Sequence, residues 1–250
     1  MSIPFFDCNV MFGPRSAPRP ESALSDEEIL EELARTGVER ALFVHAWAKE
    51  YDPRIGNEQA AEWAAAHPNL TPAFVLLPEH TDELPAGDAL LGYLAAGGAQ
   101  AVWLYPKPHG YGLGEAWCGA MFGTLAEAGV PVLIELDQTS WGEIDGVLGK
   151  HPALNLIVCR TGYRITRWAY PLLARHAGLR IETSFFEQHL GIEAVVEKFG
   201  ADRLVFGTGL PAYDSGGAIT PILYAAIDDA DKRRLATGNL ESILWKGARA

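Results

Sequence analysis

Short apolar runs alternate with longer amphipathic runs along the whole of this 250-residue chain. The short runs are rich in Val, Ile, Leu and Phe, which is typical of buried parallel strands, and the longer runs are typical of crossover helices. The strand candidates are residues 4–8, 40–45, 72–77, 101–105, 132–136, 154–159, 179–183 and 203–206. Eight strands, each followed by a helix, predict an α/β fold, a (β/α)8 TIM barrel formed by a single domain over residues 1–250.

Capping signals mark the ends of the predicted helices. Ser25 and Glu28 form the Ser-x-x-Glu pattern of a capping box, and Gly37 is placed to end the helix that they begin. Further helices are predicted to begin near residues 57, 117, 140, 166, 192 and 219, the first of them ending at His67. Other glycines fall where helices should end, in positions that favour a left-handed cap: Gly129, Gly149, Gly178 and Gly200.

An open, doubly wound parallel sheet is the alternative arrangement of the same elements. Sheets of that kind that bind dinucleotides carry Gly-x-Gly-x-x-Gly after an early strand. The run at residues 110–114, Gly-Tyr-Gly-Leu-Gly, follows the fourth strand candidate and lacks this spacing. The pattern therefore favours the closed barrel, and we expect no cofactor.

The charge balance argues against two classes of partner. With Lys+Arg at 20 and Asp+Glu at 32, the net charge of −12 repels nucleic acid and anionic membrane surfaces. The uncharged stretch at residues 89–105 is broken by glycines, so it predicts a buried helix, a turn and a strand rather than a membrane span. No secretory signal is visible, and the three scattered cysteines do not suggest a disulfide framework, so we expect a cytoplasmic protein.

In such a barrel the active site forms at the carboxyl ends of the strands and in the loops that follow them. Polar, ionisable and aromatic residues occupy many of these positions. In chain order they are Asp7, Asn9, Met11, His45, Trp47, Tyr105, Lys107, His109, Glu135, Asp137, Arg160, Ser184, Thr208 and Gly209. Because a purely structural barrel could end its strands in small turn residues, this set predicts a binding pocket.

Several segments resemble the amidohydrolase-related family of metal-dependent barrel enzymes. Residues 6–13, Phe-Asp-Cys-Asn-Val-Met-Phe-Gly, resemble that family's first strand, where Asp-x-His-x-His is followed by an apolar residue and Gly. Residues 37–44 are similar to its second strand, and residues 199–208 to the approach to its eighth strand. The resemblance implies a TIM barrel and hydrolase or lyase chemistry on small molecules.

The family's metal ligands, transferred one residue at a time, are largely absent. The two histidines of the first strand fall on Asn9 and Met11, and the aspartate of the eighth strand falls on Gly209. The family's histidine of the fifth strand falls near Glu135, and its histidine of the sixth strand falls near Arg160. Because Arg160 would bring a permanent cation into the metal's space, we expect no bound metal. An alternative shell would use the carboxylates of Asp7, Glu135 and Asp137 with His45.

The remaining groups suit an acidic substrate. A recessed guanidinium such as that of Arg160 matches a carboxylate in geometry, and Glu135 at the barrel mouth is a candidate general base. We assign catalytic roles to Glu135, His45, Lys107 and Asp137, and substrate contacts to Arg160, Asn9, Trp47, Tyr105, His109, Ser184 and Thr208. Some members of the resembled family are metal-free lactonases that hold substrate carboxylates with arginines.

The sequence thus predicts a metal-independent hydrolase or lyase that acts on a small organic acid or lactone. Its expected partner is a small molecule that carries a carboxylate, and homo-oligomerisation is left open. Two alternatives remain at this point. One is a non-catalytic protein that binds a small molecule on the same barrel, and the other is a structural partner subunit.

Overall fold

All eight predicted apolar runs form strands of one parallel sheet. The computed structural model describes residues 3–16 and 24–247. In chain order the strands are β1 (Phe5–Phe12), β2 (Val38–His45), β3 (Leu70–Val75), β4 (Ala101–Leu104), β5 (Val132–Glu135), β6 (Leu156–Cys159), β7 (Gly162–Tyr163), β8 (Leu179–Glu182), β9 (Phe186–Glu187) and β10 (Leu204–Val205). The short strands β7 and β9 pair only with each other, outside the main sheet.

The main sheet curls round and closes on itself. Its strands lie in the order β1-β2-β3-β4-β5-β6-β8-β10, and every neighbouring pair is parallel. The segment after β10 then returns to β1, where the Cys8 N–H donates to the Phe206 carbonyl at 3.0 Å and the Met11 N–H donates to the Leu210 carbonyl at 2.9 Å. The predicted fold class, a single-domain (β/α)8 TIM barrel, is therefore confirmed.

Helices connect the strands around the outside. They are α1 (Asp26–Thr36), α2 (Ala46–Glu50), α3 (Pro53–Ala66), α4 (Asp88–Ala96), α5 (Pro106–His109), α6 (Glu115–Ala128), α7 (Trp141–Lys150), α8 (Thr166–Arg175), α9 (Gly191–Phe199), α10 (Ser215–Tyr224), α11 (Asp229–Arg233) and α12 (Asn239–Ile243). Short 3₁₀ turns lie at Glu79–Thr81, Leu136–Gln138 and Ala201–Arg203. Each strand therefore delivers its carboxyl end to the same side of the molecule.

The capping signals predicted some helix ends and missed others. Ser25 forms the full capping box with Glu28, and Gly37 ends α1 in the left-handed conformation at φ +80°. Gly149, by contrast, lies inside α7, and Gly178 has no positive φ, so these two predicted caps are wrong. Gly178 instead serves close packing, because a Cβ there would overlap the backbone of the chain at Leu154.

Helix α3 begins earlier than its predicted start near residue 57. The Asp52 side chain accepts the Arg54 N–H at 2.8 Å, and Pro53 occupies the first helical position, where its missing N–H costs nothing.

The uncharged stretch at residues 89–105 forms α4, a glycine turn and β4, as predicted. Within the described residues, no helix is long and apolar enough to cross a membrane. Met1 and Ser2, where a signal was sought, lie outside the described residues.

Side chains on the inner face of the strands fill the barrel. They are Phe6, Cys8, Leu42, Val44, Ala73, Val75, Ala101, Trp103, Tyr105, Leu133, Ile157, Cys159 and Val205, all nearly inaccessible to solvent. The opposite faces of the same strands pack against the helices in the larger core. Because the interior is solid, as in other barrels of this type, space for a ligand remains at the mouth.

Candidate active site

A cavity of 240 Å³ opens at the carboxyl ends of the strands. Its walls carry Asn9, Met11, Arg15, Lys49, Glu135, Arg160, Gly209, Leu210, Pro211, Ala212 and Tyr213. The structure thus brings together three of the residues predicted to act in catalysis or substrate binding, Asn9, Glu135 and Arg160. Met11 and Gly209, which belong to the predicted strand-end set, line the same cavity. It adds Arg15, Lys49 and Tyr213, which were not predicted.

Glu135 is the last residue of β5 and lies deep in the cavity, with 7% of its side chain exposed. The ammonium group of Lys49 donates to both of its oxygens, at 2.9 Å to Oε2 and 3.1 Å to Oε1. The Arg160 guanidinium lies 3.6 Å from Oε1. The carboxylate is therefore flanked by two cations.

Lys49 reaches this carboxylate because α2 starts directly at the end of β2. Lys49 lies on this short helix, and its ammonium group is 4.5 Å from the centre of the Tyr105 ring. That ring is buried and stacks on Trp103, so it gives the cation a rigid aromatic surface. Tyr105, predicted to bind substrate, instead lies beneath Lys49 in the barrel interior and does not line the cavity.

Arg160 follows β6 with a backbone φ of +54°, in the left-handed region that favours glycine. Its Nε–H donates to the Tyr213 hydroxyl at 3.1 Å, and the Tyr213 ring stacks on Phe185 with centroids 5.0 Å apart. Burial lowers the pKa of Arg160, but the charge of Glu135 and the contact with Tyr213 outweigh it and raise the pKa overall. The group is a permanent cation in a fixed orientation.

Arg15, in the loop after β1, supplies a third cation. Its Nε–H donates to Glu50 Oε1 at 2.6 Å, and the same carboxylate accepts the N–H and the hydroxyl of Ser16, each at 2.8 Å. Burial raises the pKa of Glu50, but these hydrogen bonds and the ion pair lower it below its usual value. Three cationic side chains and one carboxylate therefore line the cavity, and Glu50 pairs with Arg15 from outside the lining. These cations exceed the two carboxylates by one, which favours an anion.

Glu182, the last residue of β8, lies fully buried behind the cavity wall. Its Oε2 accepts the Ser184 hydroxyl at 2.8 Å and the Asn9 Nδ2 at 3.4 Å, and burial raises the pKa of the carboxyl to about 7. Ser184, a predicted substrate contact, is thus bonded to Glu182 and lies outside the cavity lining. Glu182 was not among the predicted site residues, although it ends its strand as Glu135 does.

Asp7 is a second buried carboxyl behind the wall. It accepts the backbone N–H groups of Asn9 at 2.8 Å and Thr208 at 3.0 Å, together with the Thr208 hydroxyl. Burial raises its pKa to about 6. Thr208, a predicted substrate contact, is fully buried and joins the closing segment to β1. Both residues therefore support the barrel seam and do not line the cavity.

His45 and Trp47 also lie outside the cavity lining. His45 is buried, and its Nδ1 accepts the Trp47 N–H at 3.2 Å, which caps α2. Burial lowers the pKa of His45 and keeps the ring neutral. Gly13 is needed here, because at φ +93° its Cα approaches so closely that a Cβ would overlap the His45 ring. The contacts of His45 are those of a helix cap.

Lys107, His109 and Asp137 form a separate group beside the cavity. Lys107 and His109 line a wider cavity of 730 Å³, and the Lys107 ammonium donates to the Asp137 carbonyl. The His109 Nε2 lies 3.1 Å from the Lys49 carbonyl, and burial lowers the pKa of His109. Asp137 is exposed. None of the three lies in the lining of the cavity that holds Glu135.

The sequence profile of a family described as amidohydrolase matches residues 11–244, nearly the whole barrel. The chain belongs to the amidohydrolase family. No curated protein matches this amidohydrolase. The family assignment agrees with the resemblance of the first and eighth strands.

Solved structures share the fold of this amidohydrolase at low sequence identity. An uncharacterised TIM-barrel protein from Bordetella bronchiseptica is 17% identical, covers 98% of this chain and 99% of its own, and has a TM-score of 0.74. A 2,6-dihydroxybenzoate decarboxylase from Rhizobium is 16% identical, with 97% and 98% covered and a TM-score of 0.75. A dihydroxybenzoic acid decarboxylase from Polaromonas, with bound manganese and the inhibitor 2-nitroresorcinol, is 16% identical, with 97% of each chain covered and a TM-score of 0.72.

The residues of this amidohydrolase do not fit a metal of the kind bound in that relative. Among residues 3–16 and 24–247, no three His, Cys, Asp or Glu side chains are grouped so that they could hold a metal ion. At the family's ligand positions, Asn9 offers an amide and Met11 a thioether, which are poor partners for a divalent ion, and Glu135 is already paired with two cations. The alternative shell that includes His45 is therefore wrong for the described residues.

Proposed function

We propose that this amidohydrolase is a metal-independent hydrolase or lyase that acts on a small organic acid or its lactone. The single observation that carries the proposal is the Glu135 carboxylate held between Lys49 and Arg160 in a cavity with an excess of cations. The cavity is small, so the substrate is a small molecule, and the surplus positive charge favours one that carries a carboxylate.

The substrate carboxylate is assigned to the guanidinium of Arg160. A guanidinium offers parallel N–H donors that match the two oxygens of a carboxylate, and Tyr213 fixes this one by accepting its Nε–H. Arg15 and Lys49 add positive charge on the same side. At 4 Å and an effective dielectric constant of 20, one such charge pair contributes about 4 kcal/mol.

Glu135 is assigned the role of general base. In the lactone case it takes a proton from water, the hydroxide attacks the lactone carbonyl, and the Lys49 cation stabilises the oxyanion that forms. When the ring C–O bond breaks, the proton returns from Glu135 to the departing alkoxide. General acid–base catalysis of this kind contributes roughly 10²- to 10⁴-fold in rate.

Two comparisons and one feature of the site support the proposal. The family model covers nearly the whole chain, and two of the solved structures named above are decarboxylases of hydroxylated benzoic acids, which are small carboxylates. The donor set at the metal positions is unsuitable for a divalent ion, which favours chemistry by side chains alone. His45, Lys107 and Asp137 are not part of this mechanism, because none of them lines the cavity.

Turnover of a panel of lactones and aromatic or aliphatic carboxylates tests the proposal. The wild-type protein is assayed before and after treatment with a chelator, next to Glu135→Gln and the matched control Glu143→Gln on the exposed face of α7. We expect turnover that survives chelation, falls at least 100-fold in Glu135→Gln and is unchanged in the control. Turnover that requires an added metal would overturn the proposal. Tight ligand binding without turnover of any panel member would favour the non-catalytic binder.

A further inference from the structure

We infer that Glu182 is a positioning residue, which holds Arg160 and Asn9 in the arrangement that binds the substrate. The inference rests on the proposed function, because it concerns the same cavity. Glu182 itself does not line the cavity and is fully buried behind the wall. It therefore acts through its neighbours.

Both oxygens of Glu182 are occupied by hydrogen bonds from several parts of the wall. Oε2 accepts the Ser184 hydroxyl at 2.8 Å, the Asn9 Nδ2 at 3.4 Å and the Arg160 backbone N–H at 3.5 Å. Oε1 accepts the Ser184 backbone N–H. Asn9 lies on β1 and Arg160 follows β6, so one carboxylate joins two cavity-lining residues from different strands.

The Arg160 backbone needs such support. An arginine at φ +54° is in a region that side chains other than glycine adopt at a cost, and such a conformation persists only where its surroundings hold it. Glu182 accepts the backbone N–H of Arg160, while the Tyr213 hydroxyl accepts its Nε–H. The residue is thus fixed at its backbone by one partner and at its guanidinium by the other.

The hydrogen bond to Glu182 determines which atom of the Asn9 side-chain amide remains available to a ligand. Because Nδ2 donates to Glu182, the Oδ1 atom is the free end, and it has no hydrogen-bond partner among the described residues. Asn9 therefore brings an acceptor to the cavity that also holds Arg160. A substrate with a hydroxyl group close to its carboxylate would satisfy both residues.

Asp7 offers a matched comparison for Glu182. Both carboxyls are fully buried, both have a raised pKa because of that burial, and both lie behind the cavity wall. Asp7, however, bonds to the backbone of Asn9 and to Thr208, and to no cavity-lining side chain. Loss of either carboxyl removes buried hydrogen bonds, but only loss of Glu182 releases the side chain of Asn9 and the backbone of Arg160.

The experiment compares Glu182→Gln, Glu182→Asp and Asp7→Asn with the wild-type protein. Benzoate is the probe, its Kd is measured by isothermal titration calorimetry, and thermal unfolding reports stability. A crystal structure of unliganded Glu182→Gln reports the position of the Arg160 guanidinium, and the NMR signal of its Nε–H reports the same contact in solution. Glu182→Asp keeps the charge but is too short to reach Arg160, so it replaces Glu182→Gln if that variant does not fold.

We expect benzoate affinity to fall at least tenfold in Glu182→Gln and Glu182→Asp, and to stay within threefold in Asp7→Asn, although all three unfold at lower temperature. We also expect the Arg160 guanidinium to move by more than about 1 Å in Glu182→Gln. Unchanged affinity together with an unmoved Arg160 would overturn the inference. If the wild-type protein itself does not bind benzoate, the proposed substrate class fails, and the position of Arg160 in the variant still decides the role of Glu182.

Discussion

The ammonium group of Lys49 lies within 3.1 Å of both carboxylate oxygens of Glu135, so the residue proposed as the base is held by a cation that lines the same cavity. If Glu135 were only a counter-ion, its removal would change binding and stability but leave the turnover of bound substrate in place. If it is the base, its removal abolishes the turnover of a substrate that still binds. The two roles are therefore separable by experiment.

Glu135→Gln should bind carboxylates more tightly while losing turnover. The substitution removes a negative charge that opposes an anion in the cavity, and Lys49 and Arg160 become available to the ligand. We expect about tenfold tighter benzoate binding, which corresponds to about 1.4 kcal/mol. Calorimetric titration measures it, and weaker binding would assign Glu135 to a structural role.

Arg160→Met should remove the protection that acidic ligands give against heat. The substitution keeps an unbranched apolar side chain but removes the N–H donors that match a carboxylate. Thermal unfolding is measured with and without benzoate, and Arg175→Met on the exposed surface of α8 is the matched control. We expect the stabilising shift to vanish in Arg160→Met alone. Equal protection of both variants would show that Arg160 does not recognise the ligand.

The stability of Asp7→Asn relative to the wild-type protein should improve as the pH rises. Burial raises the pKa of Asp7 to about 6 from 3.8, so the folded protein keeps a proton that the unfolded chain has already lost. The stability from this proton is fully present below the unfolded pKa and is lost as the pH rises through the folded pKa.

Between pH 5 and pH 8 the free energy of unfolding of the wild-type protein falls by about 1 to 2 kcal/mol for this reason. Asp7→Asn has no carboxyl at this position, so its stability lacks this pH dependence. Urea unfolding at both pH values measures the difference, with the exposed Asp82→Asn as a control. A difference that does not change with pH would show that Asp7 is ionised in the folded protein throughout this range.

Restoring the family's ligands should not by itself create a tight zinc site. The triple variant Asn9→His, Met11→His and Gly209→Asp supplies three donors, but Arg160 stays beside them and opposes a dication. Gly209 also has φ +71°, and a Cβ there would lie 2.6 Å from Tyr213 Cδ2, so the new aspartate would be strained. Zinc affinity is measured with and without Arg160→His added. Tight binding by the triple variant alone would contradict this expectation.

The barrel was predictable because its strands are buried on both faces and therefore read as continuous apolar runs. The strand-end rule was informative for the site as well, since Asn9, Glu135 and Arg160 all line the cavity. The rule could also have selected Glu182, which ends β8. The predicted strand ran one residue further, to residue 183, and the residue selected after it was Ser184.

Other residues of the site were beyond the sequence pattern. Lys49 lies four residues past the end of β2, and it enters the cavity only because α2 begins directly at His45. Arg15 and Tyr213 lie on loops whose course depends on tertiary contacts with Glu50 and Phe185. Sequence position alone does not reveal such contacts, because they join loops that are distant along the chain.

We propose that this cavity binds a carboxylate through Arg160 without a metal. The most direct test is a crystal structure of the wild-type protein grown with both benzoate and manganese, with anomalous scattering recorded for the metal. We predict that the benzoate carboxylate contacts the Arg160 guanidinium, with Glu135 still bound to Lys49 and no manganese signal in the cavity. A manganese ion coordinated by Glu135 and the benzoate carboxylate would contradict the account.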